Sequence, residues 1–299
     1  MNFQEHVTTN RTTDSLPVGR RSRRLRWPVR GVVSNTAALV LACFVLLGVF
    51  GSMLTPHNPN EGGVGAQLAH PSGAFWLGTD ALGRDEVSRV IAAARPALLA
   101  AGEAVLVALL LGTAVGIISG YIGGLWDNAL SRLMDLLFAM PEYLLAILVI
   151  AIIGNGMSNA ALAIGVTGIP RFARVVRGAT QEIISRSYID AAHLSGRGRL
   201  WVMSRHLIPN IASPLIVITA ISLSTAEGSY AALSFLGFGE RPPAADYGSM
   251  IAAAQSDLLS DPWVVAVPSV AFVILVVAFN VLGDVVRDAL DPRSTARET

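Results

Sequence analysis

The residues whose types and spacing are most distinctive are Tyr188-Ile-Asp-Ala-Ala-His-Leu-Ser-Gly196 and, shortly after, Arg205-His-Leu-Ile-Pro-Asn210. They form a polar, arginine-bearing interruption in a chain that is 53% hydrophobic. Their chemistry is recognition rather than bond making. Ser187, three residues before Asp190, reads as a helix N-cap with an acidic third residue. Ala191 and Ala192 propagate the helix and leave one face without bulk. Gly196 is placed for the left-handed position that ends a helix. A second short helix carries Leu200, Met203 and Leu207 and stops at Pro209. The product is a helix–turn–helix elbow, and its small-residue face suits a cleft on another protein.

Covalent catalysis finds little here. All 22 basic residues are arginine, so a phosphate-binding loop ending in Gly-Lys-Ser/Thr is excluded, and so is Schiff-base chemistry. Cys43 is the one cysteine, which excludes an internal disulfide, a Cys-x-x-Cys redox pair and a cysteine-rich zinc site. The five histidines fall in no metal-ligating spacing. No catalytic or metal site is expected.

The elements that must position the elbow are membrane spans. Charged residues make up only 14% of the 299 residues and the mean hydropathy is +0.55. Residues 1–31 are polar and then strongly basic, the pattern of a cytoplasmic anchor beside anionic lipid rather than of a nucleic-acid patch. Residues 32–54 are long enough to cross a ~30 Å hydrocarbon core. Residues 55–95 read as an irregular extracytoplasmic loop, rich in Gly and Pro, whose Val87, Val90 and Ile91 mark an amphipathic interfacial helix.

Residues 96–287 hold five further spans, at 96–119, 129–153, 158–178, 211–236 and 263–283. The elbow at 187–209 lies between the third and fourth of these. Pro141 is expected to kink the 129–153 span. Gly165, Gly168 and Pro170 favour close contact or a broken helix in the 158–178 span. Arg171, Arg174 and Arg177 at its end read as snorkelling to the interface. Residues 288–299 form a tail. Placing the N-terminus inside leaves four of the 22 arginines outside (Arg84, Arg89, Arg95 and Arg241). The positive-inside rule then favours six transmembrane helices with both termini and the elbow cytoplasmic.

Acids inside spans are functional suspects because burial is costly. Glu103, Glu142 and Glu227 are the candidates. Each either lines a path or pairs with a Ser, Thr or Arg and serves packing.

Several blocks carry a resemblance. They are Trp76-Leu-Gly-Thr-Asp-Ala-Leu-Gly-Arg-Asp85, Phe172-Ala-Arg-Val-Val-Arg-Gly178, the elbow, Ala232-Leu-Ser-Phe-Leu-Gly-Phe-Gly239, Tyr247-Gly-Ser-Met-Ile251, and the run from Asn280 to Arg293. Over roughly residues 70–293 the chain resembles the oligopeptide/dipeptide/nickel ABC transporter permease family, and within it the C-type transmembrane subunit of a dipeptide/oligopeptide importer. The resemblance implies an all-α integral membrane protein with a type I ABC importer permease fold in a bacterial cytoplasmic membrane. It implies a non-catalytic subunit that forms half of a peptide pathway. Its partners would be a second, B-type permease, ATP-binding subunits, an extracytoplasmic substrate-binding protein and membrane lipid, with no nucleic acid. This chain would bind no cofactor, ATP and Mg²⁺ belonging to the partner subunits.

The residues matching the family's coupling loop are Tyr188, Asp190, Ala191, Ala192, Gly196, Arg199 and Pro209, with Asp190 standing where the family has Glu. Path residues are expected at Glu227, Tyr230, Glu142 and Pro141. The family carries its acid where this chain has Tyr230, one turn after Glu227. Nickel, glutathione or haem are alternative cargoes within the family. A secondary transporter or channel, which needs inverted repeats or paired broken helices, and a membrane scaffold without flux are the alternatives outside it.

Overall fold

The computed structural model describes residues 29–290; the basic segment before them and most of the 288–299 tail lie outside the described residues. The described residues form helices joined by loops, with an isolated β-bridge between Thr79 and Asp85. Helix α1 (Val29–Leu54) leads into an irregular stretch, then α2 (Glu86–Ile122). Asp85 caps α2 by accepting the Ser88 backbone N–H at 3.2 Å. The block from Trp76 to Arg95 is tied up by charge. Asp80 accepts from Arg84 Nε at 2.6 Å and from the backbone N–H groups of Leu82 and Arg84 at 2.9 Å each. Buried Arg89 donates to the Pro59 carbonyl at 2.9 Å.

The interfacial helix expected near residues 86–95 is the first part of α2. Pro96 lies inside that 37-residue helix and does not divide it. Ala93, Ala94 and Ala97 beside the ring are buried among α1 residues such as Leu41 and Phe44, so packing on both sides holds the helix together across the missing N–H.

Helices α3 (Gly124–Ala139) and α4 (Glu142–Ile153) replace the single kinked span expected at 129–153. They meet at 99°. Pro141 pushes Met140 into the extended region, at φ −81° and ψ 139°, which ends α3; Pro141 then opens α4 with its preset φ. No residue of α3 is buried.

Helix α5 (Met157–Ile184) runs unbroken through Pro170. It lies closest to α2, where Gly112, Gly116 and Gly120 meet Phe172, Val176 and Thr180. A Cβ on Gly116 would stand 2.6 Å from Val176 Cβ and 2.7 Å from the Ala173 carbonyl oxygen. Gly165 of α5 receives Val107 of α2 in the same way. Small residues four apart let two backbones approach where lipid supplies no hydrophobic drive.

The elbow comprises α6 (Ser187–Leu194), α7 (Arg199–Val202) and a π turn (Met203–Leu207) that runs straight into α8 (Ile208–Phe235). Then come α9 (Tyr247–Ala253), one 3-10 turn and α10 (Pro262–Leu290). Three apolar clusters form the interior. One joins α2, α4, α5 and α8 around Ile150, Phe172 and Leu233. A second joins α1, α2, α9 and α10 around Phe44, Tyr247 and Leu275. The third anchors the elbow.

Among the described residues, four helices are long and apolar enough to cross a membrane: α1, α2, α10, and the continuous run Arg199–Phe235. The bent α3–α4 pair makes a fifth if counted as one span. At 28 residues α5 has the length, but it is not among those that pass on composition.

Candidate functional site

The elbow is built from anchors that face inward and a tip that faces out. Ile189, Val202 and Leu207 are buried against Val176, Ile183 and Ile211. Asp190, Ala191, Gly196, Arg199 and Pro209 are exposed, Tyr188 is partly exposed and Ala192 is half-buried. Leu194 and Leu200 are 90% and 81% exposed. Two such leucines at a bend are costly in water and suit an apolar cleft.

Gly196 ends α6 as the sequence suggests, at φ +75°. Its N–H donates to the His193 carbonyl and the Arg197 N–H donates to the Ala192 carbonyl, at 3.0 and 3.1 Å. That pairing is a Schellman cap, which only a left-handed residue closes without strain. The other end differs from expectation. Arg186, not Ser187, is in the extended cap position, Ser187 is the first helical residue, and no side chain caps the helix. Asp190 is still in the first turn, where its charge favours the helix dipole.

Pro209 does not stop the second arm. The π turn before it carries the Ile208 N–H to the Met203 carbonyl, five residues back, and this wider turn clears the proline ring. The second arm therefore continues into α8 as one 37-residue helix, Arg199–Phe235. An aromatic cluster ties the arms together. His206 lies 5.5 Å from the Tyr188 ring and 5.2 Å edge-on from the Trp201 ring, and the Arg197 guanidinium stacks 4.8 Å above Trp201. The sequence reading missed this cluster; Trp201 and His206, five apart on the second arm, were its signal.

A second polar arrangement runs along α5. The three arginines read as snorkelling are each paired with an acid on α3 or α4. Arg177 grips Asp127 through Nε and Nη2, at 2.6 and 2.8 Å, and Ser119 also bonds that carboxylate. Arg174 reaches Asp135 at 3.4 Å and stacks 4.5 Å over Phe138. Arg171 reaches Glu142 at 3.8 Å. The bidentate pair is the strong one, whereas exposed pairs at the longer distances contribute about 0–1 kcal/mol each. A hollow of about 290 Å³ lies beside the ladder, lined by Ser119, Ser131, Asp135, Arg174 and Arg177.

The exposed residues of α5 beyond its midpoint include Arg171, Arg174, Gly178 and Gln181, a polar stripe at helical spacing. Charges facing hydrocarbon cost roughly 2.5–3.5 kcal/mol each at mid-depth. The equivalent face of α1 carries Leu39, Leu46, Val49 and Phe50. The α1 face fits lipid and the α5 face does not.

The candidate path residues are split. Glu142 and Pro141 lie at the α3–α4 break, with Glu142 43% exposed. Glu227 and Tyr230 are inside the packed core at 1% and 2% exposure. Both Glu227 oxygens lack a hydrogen-bond partner among the described residues. The link between the two sets is Ser229, whose hydroxyl is 3.4 Å from Glu142 Oε1. Glu103, the third acid singled out, is half-buried on α2.

These features define a helical protein with several membrane-length apolar helices and a protruding elbow. The chain belongs to the family described as binding-protein-dependent transport system inner membrane component, which matches residues 112–296. It is therefore a permease subunit of an ABC importer, located in the cytoplasmic membrane. It is similar to the glutathione transport system permease protein GsiD of Pectobacterium atrosepticum, 38% identical over 274 residues, covering 89% of this chain and 88% of that one. The protein of the same name from Escherichia coli O157:H7 is 37% identical over 280 residues, covering 91% and 89%. Among solved structures, an inward-facing form of the MetNI methionine ABC transporter shares the fold, with a TM-score of 0.56 at 21% identity over 69% of this chain and 97% of that chain.

Proposed function

We propose that this chain forms half of the translocation path of a peptide importer and is driven through its elbow by an ATP-hydrolysing partner. The carrying observation is the continuity of the second elbow arm with α8. A push on the exposed tip at Leu194 and Leu200 enters a rod that reaches the core beside Glu227 and Tyr230. The aromatic cluster and the buried anchors let both arms move as one body. ATP and Mg²⁺ would be held by the partner, which fits a chain without lysine.

In this reading the α3–α4 pair and α5 are the third and fourth of six spans, and both termini and the elbow are cytoplasmic. A second permease faces this one across the polar side of α5, with Glu142 and Pro141 on the path and Glu227 and Tyr230 behind them. A substrate-binding protein delivers cargo on the opposite side. The cargo class is small peptides. The names of the similar permeases support glutathione, itself a tripeptide, over nickel or haem.

The test is uptake by the complete importer in proteoliposomes, with ATP inside and binding protein outside. Glutathione and glycyl-leucine are compared with a nickel chelate and haem. ATP-dependent entry of either peptide is expected. Flux through the purified chain without ATPase subunits would favour a channel or secondary transporter instead.

A further inference from the structure

We propose that the two loose ion pairs on the exposed face of α5, Glu142–Arg171 and Asp135–Arg174, exchange partners with the charged ends of a zwitterionic peptide as it passes. The proposal rests on the peptide reading above. Three observations carry it. First, Arg171 and Arg174 are on the polar stripe of α5 that hydrocarbon does not suit, and Glu142 of α4 and Asp135 of α3 reach them there. Glu142 and Arg171 are each 43% exposed and Arg174 is 57% exposed, so both signs are within reach of a ligand.

Second, the ladder is graded. The Asp127–Arg177 pair is bidentate and reinforced by Ser119, so it acts as the fixed end. The other two pairs, at 3.4 and 3.8 Å, are held by one contact each. They give up little when a ligand takes over. Third, hydroxyls from α8 wait behind the loosest pair. Thr225 Oγ1 is 3.4 Å from an Arg171 nitrogen and Ser229 Oγ is 3.4 Å from Glu142. They can hold both side chains while their ion-pair partners are displaced.

The selectivity follows from pairing. A zwitterion brings one carboxylate for the guanidinium and one ammonium for the acid. Every charge keeps a partner during the exchange, and the face stays neutral. A lone anion or cation would displace one protein charge and leave it without a partner, which disfavours it.

The experiment uses the whole importer in proteoliposomes with saturating binding protein. Glycyl-leucine, with one ammonium and one carboxylate, is offered free, N-acetylated and C-amidated. The variant-to-wild-type ratio for each compound cancels the binding protein's own preference. Arg171→Gln is expected to slow the free peptide about tenfold and the amide less than about twofold, the scale of one hydrogen bond to a charged group. Glu142→Gln is expected to slow the free peptide similarly and spare the N-acetyl form. Equal slowing of all three forms by both variants would show that the pairs are struts and overturn the proposal.

Should Arg171→Gln not assemble, Arg171→Lys keeps the charge and loses the planar fork. A free-to-amide ratio that moves toward one in that variant supports the proposal, and an unchanged ratio overturns it. A wild-type importer that carries no peptide at all removes the peptide reading first, and that failure is seen before any variant is made.

Discussion

The elbow and the polar face of α5 both keep polar groups at the edge of an apolar bundle, but they are held in opposite ways. The elbow is locked, with three buried anchors, a Schellman cap and an aromatic cluster fixing its two arms. The α5 face is latched by ion pairs that loosen from Asp127–Arg177 to Glu142–Arg171. A locked part transmits motion, and a latched part can change its partners. The difference suggests a division of labour along one chain, in which the tip is the handle and the ladder is the surface that responds.

The largest expected effect comes from the seam that both regions depend on. Gly116→Leu puts a side chain where even a Cβ would meet Val176 at 2.6 Å and the Ala173 carbonyl at 2.7 Å. Overpacking of about 1–3 kcal/mol, or more where backbone cannot shift, is expected to abolish recovery of assembled complex by size-exclusion chromatography. Recovery at wild-type yield would mean that α5 is not pinned to α2. Next comes the cap. Gly196→Val at φ +75° carries roughly 1–2 kcal/mol of strain or more in a β-branched residue. Uptake is expected to fall about five- to thirtyfold, the rate equivalent of that strain, while ATPase subunits still co-purify. Normal uptake would break the claim that the elbow is locked.

The ladder offers the third contrast. Asp127→Asn removes the bidentate grip and is expected to cost about 1–2 kcal/mol of thermal stability, Arg177 being partly exposed, whereas Asp135→Asn costs about 0–1 kcal/mol. Equal losses in thermal melts would erase the gradient. The smallest effect is at Glu227, buried with both oxygens unpartnered among the described residues. Glu227→Met fills a similar volume without a polar group and is expected to raise the melting temperature, with uptake changed less than about threefold. A severe loss of uptake in a stable variant would assign Glu227 a direct part in transport.

Much of this architecture is legible in the sequence, and the misses share a cause. Long apolar runs give α1 and α8 to within three residues and the start of α10 to within one, because lipid demands length and composition together; α10 continues seven residues past the expected end, where the chain turns polar. Gly196 is legible because a left-handed cap admits few other residues. Pro141 signals a disturbance, but the 99° turn depends on how α3 is held by Asp127 and Asp135, which no local window contains. Arg171, Arg174 and Arg177 look like snorkelling cations when read alone. Their partners stand 29 to 50 positions away and meet them only after the chain reverses. The seam at Gly112, Gly116 and Gly120 has a local signature, glycine every fourth residue, and it went unread beside the neighbouring leucines. Pro209 suggests a helix end that a π turn overrides, and Pro170 suggests a break that packing against α2 overrides.

The central claim is that the exposed tip of the elbow engages an ATP-hydrolysing subunit and moves with it. In a Cys43→Ala background, Leu194→Cys gives a single thiol at the tip. A short bifunctional crosslinker applied to the complete importer is expected to join this chain to the ATPase subunit, with a yield that changes when ATP is added. Reaction of that thiol from the extracytoplasmic side by an impermeant reagent, with no crosslink to the ATPase subunit in any nucleotide state, would contradict the account.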